Sequence, residues 1–154
     1  MAIHVRSTAF EPGGRIPKRH TCEAEDLSPP LAWESIPPET KAFALVCDDP
    51  DAPGKAWVHW VLYDLPADAR SLVEGLPSMD TLPDGAKQGR NDFGKIGYGG
   101  PDPPKGGPHR YHFKLYALDT TLDLPAGATR DQVLAAIKGH VLAEGQLMGR
   151  YGRD

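Results

Sequence analysis

The chain has 154 residues and a formal net charge of −4, from 17 Lys and Arg against 21 Asp and Glu. This length predicts one domain, residues 1–154, that can bury a core without metals or disulfides. A mildly acidic chain lacks the basic face that binding to duplex nucleic acid or to an anionic membrane requires, which excludes both as partners.

The first ten residues contain His4 and Arg6 and no apolar run of signal-peptide length. No segment approaches the roughly 18 consecutive apolar residues that span a bilayer. We therefore expect a soluble, cytoplasmic protein without stable membrane insertion. The two cysteines, Cys22 and Cys47, form no C-x-x-C or zinc pattern. Two reduced, partly buried thiols are favoured over the main alternative, a single disulfide.

Three strands are predicted from apolar runs. Prolines and glycines interrupt the first forty residues, which predicts turns and short edge strands there. The run 42–48 has the length of a buried strand. A second run, 57–65, is apolar on both faces, so both faces must be covered. A third strand is predicted over 111–118, where apolar and polar residues alternate.

A long irregular stretch, from about 66 to 109, separates the second and third strands. Loops of this length in a compact domain are usually functional or disordered. Three apolar residues within it, Phe93, Ile96 and Tyr98, favour an ordered loop. The sequence therefore predicts a glycine- and proline-rich loop that enters the third strand.

One C-terminal helix is predicted. Thr129 is its expected N-cap, and Gln132 completes a capping box. Apolar residues then recur at helical spacing as far as Val141 and Leu142, and Gly149 marks the expected end. Together with the strands, this predicts a mainly β domain of two packed sheets.

Polar side chains cluster at the ends of the three strands, within residues 48–53, 57–60 and 103–111. His59 is the strongest single candidate, although a lone histidine of this kind is often a satisfied core residue. On strand alternation it shares a face with Trp57, Val61 and Tyr63.

A second histidine and two carboxylates favour a pocket around His59. His109 enters from the glycine-rich loop, and Asp49 and Asp51 follow the first strand. An imidazole held by a carboxylate keeps its proton more readily, so it can donate to an anionic oxygen near neutral pH. The residues thus predict a small site for a phosphate-like or carboxylate group.

Spacing argues against metal and cofactor sites. His109 and His112 lie three apart in a predicted strand, on opposite faces, so they cannot share a metal. No P-loop and no G-x-S-x-G nucleophile motif occurs. We expect neither a metal nor a cofactor.

Three segments in order resemble the phosphatidylethanolamine-binding protein family, in particular its short prokaryotic, Raf kinase inhibitor-like branch. They are D-P-D-A-P at 49–53, W-x-H-W at 57–60 and P-P-K-G-x-x-H-R-Y at 103–111. The resemblance covers nearly the whole chain. It implies a β-sandwich with a large central antiparallel sheet, a smaller sheet and few helices. It also implies a surface pocket for small anionic ligands such as phosphate or the phosphorylethanolamine head group.

The family motif places the pocket on Asp49, Trp57, His59, Pro104, His109 and Tyr111. It also implies structural roles for Asp51 and Arg110, and a homodimer. From the residues alone, His20 is expected at the surface and Asp26 in a solvated loop.

A non-enzymatic ligand-binding protein is the favoured function, because no nucleophile, metal set or cofactor motif accompanies the predicted pocket. The main alternative is an inhibitor of a serine protease or kinase that presents the rigid loop 100–108 to its target. A hydrolase or isomerase with a His–Asp pair as general base is the third. The sequence specifies neither the physiological ligand nor the protein target.

Overall fold

The structure is a computed structural model that describes residues 2–153. Its strands are β1 (His4–Arg6), β2 (Leu31–Glu34), β3 (Ala42–Asp49), β4 (Trp57–Pro66), β5 (Ser71–Leu72), β6 (Lys87–Gln88), β7 (His109–Leu118) and β8 (Val141–Tyr151). One α-helix, α1, spans Arg130–Ile137, and a single 3₁₀ turn covers Lys18–His20.

The strands form two antiparallel sheets. The larger sheet has the order β6-β4-β3-β7-β8, and the smaller one has the order β1-β2-β5. The three strands predicted from apolar runs lie within two residues of β3, β4 and β7. The mainly β sandwich with one large and one small sheet is therefore confirmed. One detail differs: β2 is the central strand of the smaller sheet and not an edge strand.

The larger sheet is covered on both faces, as the apolar character of β4 requires. Every residue of β3 is buried. One core lies between the two sheets and includes Trp33, Phe43 and Trp60. The other lies on the opposite face of the large sheet, where Val133 and Ile137 of α1 pack. The large sheet is thus a rigid platform, and the candidate site residues lie near the ends of its strands β3, β4 and β7.

The predicted C-terminal helix is correct at its start and wrong at its end. The capping box is present, with Gln132 N donating to Thr129 Oγ1 over 3.3 Å and Thr129 N donating to Gln132 Oε1 over 2.9 Å. However, α1 ends at Ile137, and Gly139 has a φ of 85°. This left-handed conformation terminates a helix and favours glycine.

Residues 141–149, predicted as the second half of that helix, instead form most of the edge strand β8, which extends to Tyr151. This strand pairs with β7 along its whole length. Ala143, Leu147, Gly149 and Tyr151 are buried, with more exposed residues between them. This period of two is that of a strand with one buried face. Pairing with a ten-residue partner strand overrides the weak helical spacing of two apolar residues.

The outer edge of β8 is covered by segments near the start of the chain. The backbone hydrogen bonds are Ile3 N to Glu144 O (3.0 Å), Gly13 N to Met148 O (2.7 Å), Ile16 N to Arg150 O (2.8 Å) and Arg150 N to Gly14 O (2.8 Å). Residues 3–16 thus occupy much of the edge of the larger sheet beyond β8.

Both cysteines are free thiols. Cys22 is exposed and Cys47 is buried, so the prediction of partial burial holds only for Cys47, and the alternative disulfide does not form. Burial raises the pKa of Cys22 to about 11. Among residues 2–153, no helix has both the length and the apolar character needed to cross a bilayer.

Candidate functional site

A cavity of about 200 Å³ opens where β3 ends, β4 begins and the loop before β7 meets them. Its walls include all six residues that the sequence pointed to: Asp49, Trp57, His59, Pro104, His109 and Tyr111. The remaining walls are Ala52, Pro53, Phe93, Asp102 and Pro103. The structure thus brings the six residues together, and their role in ligand binding stays a prediction.

Asp49 fixes the orientation of His109. Its side chain is buried, and Oδ2 lies 2.6 Å from His109 Nδ1. Its other oxygen, Oδ1, accepts a hydrogen bond from Asp51 N over 2.8 Å, which closes the turn after β3. Because a carboxylate oxygen accepts, Nδ1 of His109 carries the proton and Nε2 is the ring nitrogen left for a ligand.

Asp51 and Arg110 form the structural pair that the resemblance implies. The Arg110 guanidinium donates to both carboxylate oxygens, over 3.0 and 2.8 Å, and Arg110 N adds a third bond of 2.8 Å. The guanidinium lowers the pKa of Asp51 to about 2. Neither residue lines the cavity. The pair instead ties the loop after β3 to the beginning of strand β7.

His59 lies at a β-bulge. In the pairing of β3 with β4, Cys47 lies opposite Trp60 and Asp48 lies opposite Val58, so His59 has no partner across the ladder. A bulge places one extra residue on one strand and redirects its side chain, and bulges are frequent beside functional sites.

Because of the bulge, the prediction of which residues lie on the same face of β4 as His59 is partly wrong. Val61 and Tyr63 pack in the core beneath α1. His59 instead contacts Tyr111, a residue of the core between the sheets, with ring centroids 5.1 Å apart. Of the three residues expected on its face, only Trp57 shares the cavity with it. Simple alternation fails because the extra residue breaks the period of two.

Burial and a short hydrogen bond fix the state of the His59 ring. The residue is 3% exposed, with the rings of Phe93 and Tyr111 edge-on to it. Its Nδ1 donates to the carbonyl oxygen of Gly99 over 2.6 Å. Burial lowers the pKa of His59, so the ring is neutral near pH 7 and its Nε2 is a hydrogen-bond acceptor.

The peptide between Gly99 and Gly100 connects His59 to Asp26. Its carbonyl accepts from His59, and its N–H donates to Asp26 Oδ1 over 2.8 Å. A Cβ at Gly100 would lie 2.3 Å from that oxygen, so only glycine permits the approach. The expectation of a solvated Asp26 is therefore wrong: the side chain is half-buried, and burial raises its pKa. No spacing pattern in the sequence links residue 26 to residue 59.

Two donors on the cavity walls are buried and have no hydrogen-bond partner among residues 2–153. They are Trp57 Nε1 and the hydroxyl of Tyr111. Most buried polar atoms in proteins are paired, so an unpaired donor on a cavity wall indicates a ligand or water as its partner. This pair of donors is the strongest indication that the cavity binds an oxygen-bearing group.

Sequence reasoning missed Phe93 as a site residue. Its ring lies 5.6 Å from that of Trp57 and 5.4 Å from that of His59, edge-on to both. The side chain of Asn91 holds its loop, because Asn91 Oδ1 accepts from Phe93 N over 3.0 Å. The position of Phe93 in the glycine-rich loop indicated only that the loop is ordered, and no pattern assigned the ring to the pocket.

Asp102 is the second wall residue that the sequence did not indicate. Its carboxylate pairs with Arg153, whose Nε donates to Pro103 O over 2.7 Å. The walls therefore carry two carboxylates, Asp49 and Asp102, each with a basic partner. Among the described residues 2–153, no lysine or arginine lines the cavity.

His20, expected at the surface, is completely buried outside the cavity. Its Nδ1 donates to Leu27 O over 2.8 Å, and its own carbonyl accepts from the Tyr98 hydroxyl over 2.7 Å. Burial lowers the pKa of His20. The proline-rich context of residue 20 indicates a loop, and it does not reveal that this loop is packed under the segment that carries Gly99.

The described part of the chain contains no group of three or more His, Cys, Asp and Glu side chains placed to hold a metal ion. His109 and His112 have separate partners, since His112 Nδ1 lies 3.0 Å from Gln146 Oε1. The cavity instead combines hydrogen-bond donors, two imidazoles and aromatic walls. This chemistry suits reversible binding of a small polar molecule.

Residues 6–152 match the family model described as phosphatidylethanolamine-binding protein. A UPF0098 protein of Methanothermobacter thermautotrophicus is 53% identical to this chain, over 98% of the chain and 99% of the relative. The UPF0098 protein YbhB of Escherichia coli is 41% identical, over 94% of the chain and 97% of the relative.

Two solved structures share the fold. A putative phosphatidylethanolamine-binding protein homolog from Chlamydia trachomatis aligns with a TM-score of 0.90 and 39% identity, over 99% of both chains. Escherichia coli YbcL, described as a member of the mammalian family of that name, aligns with a TM-score of 0.93 and 35% identity, over 100% of both chains.

Proposed function

The chain belongs to the phosphatidylethanolamine-binding protein family, and from this premise we propose that its cavity binds small phosphate-like anions. Family membership supports a small ligand-binding protein. The finer proposal, an anion as the ligand, rests on the chemistry of the cavity walls.

The two unpaired donors carry this proposal. Trp57 Nε1–H and the Tyr111 hydroxyl line one cavity without a partner in residues 2–153. A buried donor without a partner costs roughly 1–3 kcal/mol, so a ligand that supplies acceptor oxygens recovers that free energy. Phosphate presents several such oxygens on a compact centre, so a single ligand can accept from more than one donor.

The proposed role is binding without turnover. None of the residues that line the cavity, within the described residues 2–153, is a serine, threonine or cysteine. The Asp49–His109 pair has the geometry of a general base, but no hydroxyl of serine or threonine and no thiol lies on the described walls for it to activate. The hydrolase or isomerase stays a prediction.

A titration with inorganic phosphate tests the proposed function. Histidine ring resonances of the ¹⁵N-labelled protein are followed by NMR as phosphate rises to about 10 mM. We expect the rings of His59 and His109 to shift in a saturable way, while that of His112, which does not line the cavity, stays unchanged. Unchanged His59 and His109 resonances would refute anion binding in this cavity.

Three further expectations from the sequence stay predictions: the inhibitor of a serine protease or kinase, the homodimer, and the cytoplasmic location. Light scattering coupled to size-exclusion chromatography measures the oligomeric state directly, and a mass of twice the chain would support the homodimer.

A further inference from the structure

We propose that Arg153 is a positioning residue for the cavity. Its guanidinium joins the loop 100–108 to Glu23, which fixes the wall that this loop contributes. The wall residues on the loop are Asp102, Pro103 and Pro104. Arg153 itself does not line the cavity, so its effect on a ligand passes through the loop. The inference rests on the proposed function and adds to it a residue that governs the shape of the site.

The loop 100–108 can form few backbone hydrogen bonds. Four of its nine residues are prolines, which have no N–H to donate: Pro101, Pro103, Pro104 and Pro108. No helix or strand includes the loop. Among residues 2–153, a single backbone–backbone hydrogen bond outside the strand ladders reaches residues 101–108, from Cys22 N to Pro101 O over 3.1 Å. Beyond Pro101, the loop therefore depends on packing and on side chains that donate to its oxygens.

Arg153 is such a donor. Its Nε lies 2.7 Å from the carbonyl oxygen of Pro103, a buried wall residue. Its Nη2 donates to Asp102 Oδ1, so one guanidinium binds two consecutive residues of the loop. A guanidinium presents its N–H groups in a rigid, planar fork. Two bonds from one fork therefore fix the direction of the loop as well as its distance from Arg153.

Arg153 is itself held by the body of the protein. Its Nη1 lies 3.2 Å from Glu23 Oε2, and Glu23 Oε1 accepts from the Tyr151 hydroxyl over 2.5 Å. Tyr151 is buried and ends β8. The contacts from Tyr151 through Glu23 and Arg153 thus connect the cavity loop to the larger sheet.

The exposed part of the loop lies between Arg153 and the start of β7. A Cβ added at Gly106 or Gly107 would meet no atom within 4 Å, so the space beside this turn is open. At the far end, Gly152 approaches the loop so closely that a Cβ there would lie 3.0 Å from Pro108 Cα. Residues 104–107 are therefore held at their two ends, and Arg153 holds the end that lines the cavity.

Replacement of Arg153 would change both the position and the charge of this wall. The Pro103 carbonyl would lose its donor, and the Asp102 carboxylate would remain on the wall without its cationic partner. A mobile wall must be ordered when a ligand binds, which lowers affinity. A carboxylate without a partner repels an anion, which also lowers affinity. The experiment must separate these two effects.

Backbone order parameters of the ¹⁵N-labelled protein, measured by NMR without ligand, test the effect on position alone. In the unmodified protein we expect the amide of Asp102 to have the value of a rigid backbone, about 0.85. In Arg153→Met, which keeps the length of the side chain and removes its donors, the value should fall to about 0.6. An unchanged value in Arg153→Met would overturn the inference.

Phosphate affinity tests the consequence for binding. We expect Arg153→Met to weaken phosphate binding by about tenfold. Arg150→Met is the matched control, because Arg150 is exposed on β8 and, within residues 2–153, the loop pairs with Arg153 and not with Arg150. It should change the affinity by less than about twofold. An equal loss in both variants would assign the effect to net charge and overturn the inference. Absence of binding to the unmodified protein would instead refute the proposed function.

Addition of Asp102→Asn to Arg153→Met separates position from charge. The double variant has no unpaired carboxylate on the wall, but Pro103 O still lacks its donor. We expect a loss of at least about threefold to remain. Full recovery of affinity would make Arg153 a counter-ion only and overturn the inference.

The conservative variant Arg153→Lys completes the series. An ammonium keeps the positive charge beside Asp102 but has no planar fork for two acceptors. We expect its phosphate affinity and its Asp102 order parameter to lie between those of the unmodified protein and Arg153→Met. If Arg153→Met does not fold, Arg153→Lys decides, and full affinity with an unchanged order parameter would overturn the inference.

Discussion

Two carboxylates only two positions apart, Asp49 and Asp51, have different roles in this molecule. Asp49 is buried on the cavity wall and holds His109, whereas Asp51 is partly exposed and holds Arg110. The sequence presents them as one acidic cluster. Their separation follows from the turn after β3, in which the Asp49 side chain bonds the Asp51 backbone.

Replacement of Asp49 should weaken anion binding without unfolding the protein. In Asp49→Asn the amide keeps an acceptor for Asp51 N but loses the charge that faces His109 Nδ1. We expect affinity for phosphate to fall by about tenfold, because the charge-assisted hydrogen bond that orients the His109 ring toward the cavity is lost. Phosphate titration followed at the His109 ring measures the loss.

Asp51→Asn is the matched control for that variant. It should leave phosphate affinity within about twofold, because Asp51 does not line the cavity. It should instead reduce stability above about pH 4, with a difference from the unmodified protein that disappears in stronger acid: the pKa of Asp51 is about 2, below the roughly 3.9 of an unfolded chain. Its contribution is therefore complete above about pH 4 and is lost as pH falls through 2. A large loss of phosphate affinity in Asp51→Asn would contradict the division of roles.

His20 should make the protein less stable as the solution becomes acidic. Burial lowers its pKa below 6.5, so the unfolded chain binds a proton that the folded chain does not. The free energy of unfolding therefore falls as pH drops below about 6.5. His20→Asn keeps a donor for Leu27 O and removes this proton. We expect a shallower decline of the thermal midpoint between pH 7 and 5, and an unchanged slope would show that His20 is not responsible.

The residues that sequence patterns missed share a physical cause. Asp26, His20 and Phe93 reach the site region through contacts between segments far apart in the chain. A local pattern carries no information about such contacts. His109 and Tyr111, in contrast, were found because the family motif places them on one strand that leads directly into the cavity.

At the scale of elements, β8 shows where periodicity misleads. Val141 and Leu142 continue the helical spacing of α1. A prediction based on these two residues alone therefore extends the helix beyond its observed end. From Ala143 onward small or apolar residues alternate with Glu144, Gln146 and Arg150, the pattern of a strand with one solvent-facing side. The deciding feature is Gly139, which ends the helix before the alternation begins.

The effect of Gly139→Ala on stability distinguishes the observed helix, which ends before Gly139, from the longer helix predicted from the sequence. The two structures predict changes of opposite sign. In a helix interior, Gly→Ala stabilises by about 1 kcal/mol. Gly139 has a φ of 85°, so alanine there is strained, and we expect Gly139→Ala to destabilise by about 1 kcal/mol. Urea denaturation measures the change.

Ala135→Gly is the control for the helix itself. Ala135 is exposed within α1, so glycine there should cost about 1 kcal/mol. Stabilisation by Gly139→Ala would contradict a helix end at that position and would favour the longer helix.

At the scale of the whole molecule, the larger sheet was more predictable than the smaller one. Its strands β3, β4 and β7 have eight to ten residues and strong apolar runs. The strands of the smaller sheet have two to four residues, too short for a periodic signal. Their pairing depends on the core between the sheets and not on local sequence.

Phosphate should stabilise the whole fold, because its site joins loops from three parts of the chain. For a dissociation constant of about 1 mM, 10 mM phosphate adds roughly 1.4 kcal/mol to the free energy of unfolding. For a chain of this size the thermal midpoint should rise by about 3–6 °C. Differential scanning calorimetry measures it, and Tyr111→Phe should show a smaller rise. An equal rise in that variant would assign the effect to the general action of the salt.

The segments that cover β8 have a consequence for solubility. An eleven-residue strand at a sheet edge is a template on which further chains add strands, and this is a common route to fibrils. Here residues 3–16 already occupy hydrogen-bonding positions along that edge. The opening of the chain thus blocks the addition of further strands, and its detachment from β8 would expose an edge prone to edge-to-edge association.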